Sequence, residues 1–477
     1  MDWPDGIIAV VKQDCPTCVL VEPVLQQLAG GDMPLIVYVQ DGASFPTDVT
    51  QVCDDSSLEY SFHLSIETVP TLIKIESGRE VERVIGWVKD EWCELVGDDT
   101  LGKALPAFRP GCGSLSVAPG MTEKLELRYG NISFSSRRID IAELEDDSEA
   151  CFDRGWSDGL PVVAPTEERV YRMLRGCSRD STEVLGHMPP DLVSCTVEKV
   201  AINAVLAGCK PEYFPVVLAT VEAALDPAFG LHGLLATTFF SGPMVIVNGP
   251  IRESIGMNWK GNALGQGNRA NATIGRALQL IVRNVGGGRP GGVDQATLGN
   301  PGKYTFCFAE DESTPWTTLA EQRGFSRDQS AVTVISADGV QPFVDQISRE
   351  PEGLVRSMAA SLRVVNNIKS AGAPDAIFVV SPEHGRVFDL AGWSKEKTIA
   401  ALQLELQIPG EELVRGAGGI PPGMPDSVKG KTLGKFRPEG LRLVRAGGNA
   451  GLFSAIIPGW PAIGEMGCDP VTKEVLL

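Results

Sequence analysis

Two cysteines three positions apart, in Asp14-Cys15-Pro16-Thr17-Cys18, are the residues best spaced for chemistry in this chain. Such a pair can cycle between dithiol and disulfide, or supply half of a zinc site. The apolar run Gly6-Ile7-Ile8-Ala9-Val10-Val11 precedes it, and a stretch with helical periodicity, Val19 to Leu28, follows. Cys15 therefore falls at the start of a helix, where partial positive charge favours a thiolate. Cys15 is the expected nucleophile and Cys18 the expected resolving thiol. A third sulfur, Cys112, stands in Arg109-Pro110-Gly111-Cys112-Gly113-Ser114. Its flanking glycines leave the sulfur accessible, and Arg109 is near enough in sequence to stabilise a thiolate. The competing reading is a linker cysteine with no role.

The elements that position these sulfurs read as a βαβ half and a ββα half. Strand candidates are 6–12, 35–40, 71–76 and 80–87, and helix candidates are 18–29, 55–63 and 89–96. Glu67-Thr68-Val69-Pro70-Thr71 leads into the strand-like Leu72-Ile73-Lys74-Ile75. This ordered set of strand, Cys-x-x-Cys, helix, Val-Pro-Thr and strand resembles the thioredoxin superfamily. The resemblance implies a cis proline at Pro70, opposite the active cysteines. Asp14 departs from it, since many members carry an aromatic residue there, so the direction of electron flow stays open. A second resemblance is to bacterial proteins named for a selenocysteine-Gly-Ser-Cys (UGSC) motif. It rests on Cys112-Gly113-Ser114, on Asp158-Gly159-Leu160-Pro161-Val162-Val163 and on a Gly/Asn-rich segment described below. It implies that Cys112 is reactive. Leu115 stands where that motif has its second cysteine, so the partner thiol must be Cys15 or Cys18.

The fold class expected is α/β, with a thioredoxin-like domain at 1–104 and a larger α/β or α+β domain at 140–477. Residues 105–139 read as a Pro/Gly-rich connecting segment carrying Cys112, with one or two strands such as Lys124 to Arg128. Ile141 to Trp156 has helical spacing and an acidic first turn of Glu143, Glu145, Asp146 and Asp147. Thr166 is a plausible cap for a helix from Glu167 to Arg175. Further helices are expected at Val197 to Gly208, Phe214 to Leu225, Ala272 to Val285 and Ser394 to Leu406. The apolar strands in 242–250 and 376–382 each end in a polar residue and a proline, which suggests two related lobes.

Ligand candidates gather in Asn258 to Arg276. Its Gly-rich loop runs into a helix, an arrangement that binds anions. Gly265 and Gly267 fit a dinucleotide fingerprint only loosely and no βαβ unit frames them. A small polar or anionic substrate is expected instead, held by Asn262, Gly265, Gly267, Asn268, Arg269, Asn271 and Arg276. The bland reading is a helix lead-in with Asn turn residues. Lys303, Tyr304 and Glu310 follow a long Gly-rich loop and could face the same ligand, or simply belong to a surface loop. Cys307 reads as a core thiol. His384, just past a buried strand, is either a general acid/base or a hydrogen-bonded loop histidine. Ala446 to Gly451 is expected to approach the same pocket.

With 477 residues, 43% hydrophobic and 22% charged, the chain reads as two or three globular domains. A net charge of −19 argues against nucleic-acid and anionic-membrane partners. The start, Met1-Asp2-Trp3-Pro4-Asp5, does not read as a secretory signal. Eleven cysteines spread over the chain are not a secreted disulfide framework, so a cytoplasmic setting is expected. Four histidines without metal-ligand spacing make a histidine metal site unexpected, and no flavin, haem or iron–sulfur motif stands out, so no cofactor is assigned. The leading expectation is a thiol-dependent oxidoreductase drawing on an external thiol reductant. A hydrolase or lyase with the first domain as scaffold or sensor, and a redox-sensing or chaperone-like binding module, are the alternatives.

Overall fold

The computed structural model describes residues 3–142, 144–460 and 468–476. Met1, Asp2 and Glu143, named above, lie outside them. The chain divides into two compact units, Met1–Phe134 and Ser135–Leu477, and both mix helices with sheets.

In chain order the first unit contains β1 (Gly6–Val11), α1 (Pro16–Ala29), β2 (Leu35–Val39), β3 (Val52–Asp54), α2 (Glu59–His63), β4 (Thr68–Val69), β5 (Thr71–Glu76), β6 (Arg79–Ile85), β7 (Trp87–Val88), α3 (Lys89–Val96), β8 (Phe108–Arg109), β9 (Cys112–Gly113) and α4 (Met121–Tyr129). Five strands make one sheet in the order β3-β2-β1-β5-β6. β1 is parallel to β2 and antiparallel to β5. Ile7 to Val11 are all buried, as a central strand covered on both faces requires. The strand expected at 80–87 is divided by Gly86, whose φ of +73° turns the chain between β6 and β7.

Residues 105–134 were expected to connect two domains, but they belong to the first unit. β8 pairs with β7 and β9 pairs with β4, so the segment carrying Cys112 is tied back to the Val-Pro-Thr region. Lys124 to Arg128 is not a strand but lies inside α4. Its Lys-Leu-Glu-Leu-Arg alternation mimics a period of two, yet every residue is a good helix former.

The second unit holds two four-stranded sheets. One runs Cys307–Ala309, Gly242–Asn248, Ala331–Ala337, Val471–Glu474. The other runs Leu441–Arg445, Ala376–Val380, Phe453–Pro458, Gln341–Val344. Successive pairings are parallel, antiparallel, antiparallel in both. The two strands suspected of being a repeat thus occupy equivalent places. The outermost antiparallel strands are exchanged: the chain leaves Ala337 to enter the second sheet, and the last strand returns to the first. Met244, Ile246, Phe308 and Ile335 of one sheet share a core with Ile377, Val379, Val444 and Ile457 of the other. Helices Pro351–Leu362 and Lys395–Glu405 cover the second sheet, while Phe214–Leu225 and Arg269–Asn284 pack against the first.

The helix expected at 141–156 is confined to Asp147–Asp153, because Asp146 caps it. Thr166 and Ser394 cap their helices as expected for such residues. Among the described residues no single helix is long and apolar enough to cross a membrane.

Candidate functional site: three thiols beside a cis proline

Asp41 sets up the turn before the first cysteine, its carboxylate accepting the N–H groups of Gln13 and Asp14 at 2.7 and 2.8 Å. Cys15 is then the N-cap of α1, and its sulfur accepts the Cys18 N–H at 3.3 Å. Pro16 occupies the first helical position, where its missing N–H costs nothing. The Val69–Pro70 bond is cis. The Cys15 sulfur lies 3.6 Å from the Val69 carbonyl oxygen, which brings Pro70 to the Cys15–Cys18 turn.

Cys112 completes the group. Its register partner in the β4–β9 ladder is Val69, and Ser114 N–H donates to Glu67 O at 2.9 Å. Thr17 Oγ1 donates to Pro110 O at 2.7 Å, tying the same segment to the first turn of α1. The Cys15 and Cys112 sulfurs stand 2.8 Å apart, whereas a disulfide would need ~2.05 Å. Gly111 is required here: a Cβ would fall 2.4 Å from Thr68 Cγ2 and 2.8 Å from Val69 O.

The three thiols differ in acidity. Burial alone would raise Cys15, but hydrogen bonds from the Cys112 thiol, from Cys18 and from the Thr17 amide outweigh it, and its pKa is lowered. Burial and then the neighbouring Cys15 sulfur raise Cys112, which keeps its proton. Burial drives Cys18 far up, and its side chain is fully enclosed. Cys15 is thus the most readily ionised of the three, and Cys112, the more exposed of the two, is placed to donate its S–H to it. The cation acting on Cys112 is Lys12, whose Nζ donates to Gly113 O at 2.8 Å. Arg109 pairs its backbone with Trp87.

The candidates of the second unit lie on other elements. Asn268 caps the helix Arg269–Asn284 and donates to Gly256 O at 2.8 Å. Asn271 donates to Asn258 O and Ala263 O, and Asn262 to Gln266 O. Gly265 sits against the Asn262 amide, and Gly267 has a φ of +111°. Arg269 donates to Gly208 O at 2.9 Å. Arg276 forms a two-pronged pair with Asp158, at 2.8 and 2.7 Å. These side chains close the loop and fasten Asp158-Gly159-Leu160-Pro161 to the helix. Lys303 pairs with Asp294 at 2.6 Å, and Tyr304 is exposed. His384 is 1% exposed, and both ring nitrogens are engaged, Nδ1 with Ser454 Oγ at 2.7 Å and Nε2 with Asp345 O at 3.0 Å. Cys307 is buried in its strand.

The Gly-rich segments do meet. Gly447 N–H donates to Trp259 O at 2.9 Å, and a Cβ on Gly448 would approach Gly261 to 3.2 Å. Beyond the carboxyl ends of the parallel strands lies a buried charged cluster. Glu310 accepts from Asn248 at 2.8 Å and stands 3.8 Å from Lys395, and Glu312 pairs with Arg252 at 3.3 Å. Sequence reading singled out Glu310 but not its partners. Asn248, a polar residue closing an apolar strand, carried the available signal. Among the described residues no group of three His, Cys, Asp or Glu side chains is placed to hold a metal ion.

Searches against protein-family models, curated proteins and solved structures return no match.

Proposed function

We propose that the protein is a thiol–disulfide oxidoreductase whose first unit is a thioredoxin-like module with three working cysteines. The supporting observation is the 2.8 Å separation of the Cys15 and Cys112 sulfurs at a helix N-terminus beside a cis proline. Cys112 is the substrate-facing thiol. It attacks a disulfide R–S–S–R′, forming Cys112–S–S–R, and its proton passes to the departing sulfur, which leaves as R′SH. The Cys15 thiolate then attacks Cys112 Sγ, RS⁻ leaves, and a Cys15–Cys112 disulfide remains. Cys18, on losing its proton, attacks Cys15 and frees Cys112 as a thiolate that takes up a proton. An external dithiol reduces Cys15–Cys18 and restores the starting state.

Reduction of a small aromatic disulfide tests this. With an external dithiol present, wild-type protein turns over repeatedly, and Cys15→Ser lowers the rate at least ~100-fold, the scale of losing an activated nucleophile. Full multiple-turnover activity in Cys15→Ser would refute the reading.

A further inference from the structure

We propose that Gln40 is the positioning residue that holds Cys112 against Cys15, and so decides which thiol bonds to Cys15. The inference rests on the thiol–disulfide reading above and adds a determinant to it. Gln40 follows β2 and is 2% exposed. Its backbone N–H donates to Val11 O at 3.0 Å, at the end of the strand that leads to Cys15. Its side-chain amide reaches the other way. Nε2 donates to Ser114 Oγ at 2.6 Å and to Ser61 Oγ at 2.8 Å, and Oε1 accepts the Leu115 N–H at 3.0 Å. Ser114 and Leu115 follow Cys112 by two and three positions.

The network closes at both ends. Ser114 and Ser116 hydroxyls pair at 2.6 Å, and Ser116 donates to Ile66 O, four residues before the cis proline. Ser61 donates to the buried Asp55 at 2.6 Å, and Asp55 also accepts the Tyr60 and Ser61 N–H groups. Upstream, Cys112 is held by the Thr17–Pro110 bond and by a ladder of only two residues per strand. Downstream, beside the Ser114–Glu67 backbone bond, the Gln40 amide clamps both Ser114 and Leu115. Each buried group left without its partner would be desolvated and unpaired, so the members stand or fall together.

Cys18 is held against Cys15 by the helix turn itself, whatever happens at Gln40. Loosening Gln40 therefore favours Cys18 over Cys112 as the partner of Cys15. It also withdraws the Cys112 S–H from the Cys15 thiolate.

The test treats reduced full-length protein with one equivalent of oxidised glutathione, quenches in acid with an alkylating agent, and maps disulfides by mass spectrometry. Glutathione supplies the two electrons' worth of oxidation and leaves as thiol. Quenched at early times, before Cys18 resolves the first bridge, wild type should carry more Cys15–Cys112 than Cys15–Cys18. Gln40→Met should shift the ratio toward Cys15–Cys18 by about tenfold, the scale of one buried hydrogen bond. The same substitution should raise the pH midpoint of Cys15 alkylation, a change that mere loss of stability would not produce. Should Gln40→Met not fold, by circular dichroism, Ser114→Ala removes the acceptor on the Cys112 side and should shift both readouts the same way. An unchanged ratio and midpoint in a folded variant overturns the role of Gln40 alone. A wild-type Cys15 that remains a free thiol overturns this inference together with the reading beneath it.

Discussion

The Cys112 sulfur covers Cys15, and this contact opposes the effect of burial at Cys15 and adds to it at Cys112. A thiol hydrogen-bonded to a thiolate lowers the pKa of its partner and raises its own. Cys112→Ser keeps a donor, whereas Cys112→Ala removes it. The account expects Cys112→Ala to raise the Cys15 alkylation midpoint, with Cys112→Ser in between. Cys18 should resist alkylation in the folded reduced protein at neutral pH and react on unfolding, as peptide mapping would show. The sequence displayed Cys15, Cys18 and Pro70 because a local motif carries them. Gln40, Asp41 and Asp55 were not legible, because each looks like a polar residue ending a strand until the fold brings it to the cysteine turn.

Two elements earn their shape from single contacts. The β4–β9 ladder depends on Gly111, so Gly111→Ala should destabilise the protein by ~1–3 kcal/mol and slow Cys15–Cys112 exchange, read by denaturant melts and disulfide mapping. In the second unit, Arg276 pins residues 158–160 to the helix Arg269–Asn284. Burial raises the Asp158 carboxyl, but the Arg276 bonds lower it further, and the net pKa falls. A lowered folded-state pKa gives stability that is present above the unfolded carboxylate value of about 3.9 and lost as pH drops through the folded value. Asp158→Asn should therefore cost roughly 2–4 kcal/mol at pH 7, with the gap to wild type narrowing in acid. From sequence, Arg276 and Asn271 looked like ligand donors, since Gly and Asn density is the same whether a loop holds a ligand or only itself. Capped helices were legible to within a few residues, because caps act locally. The α4 helix was not, because its polar-apolar alternation suits a strand.

At the scale of the whole chain, the second unit is two sheets of matching strand sense that trade one strand each. The crossings meet: Asp338 N–H donates to Pro458 O at 2.7 Å, and Gly459 N–H donates to Asp375 O at 2.9 Å. Burial pushes the Asp338 carboxyl up to about 6, although Ser241 donates to it. A raised folded-state pKa means stability that is fully present below about 3.9 and lost as pH rises through about 6. Asp338→Asn should thus be more stable than wild type at pH 7, by about 1–3 kcal/mol, with the advantage vanishing near pH 4, as thermal melts would show. Two apolar strands ending in proline hinted at this repeat. The exchange was invisible, because which sheet a strand joins depends on partners more than a hundred residues away. The thiol chemistry of the first unit remains the claim on which the functional reading depends. Its most direct measurement is the rate of Cys15 alkylation as a function of pH in wild-type protein, followed by peptide mapping. The account predicts a midpoint below the ordinary cysteine value of about 8.5. A midpoint at or above that value would contradict it.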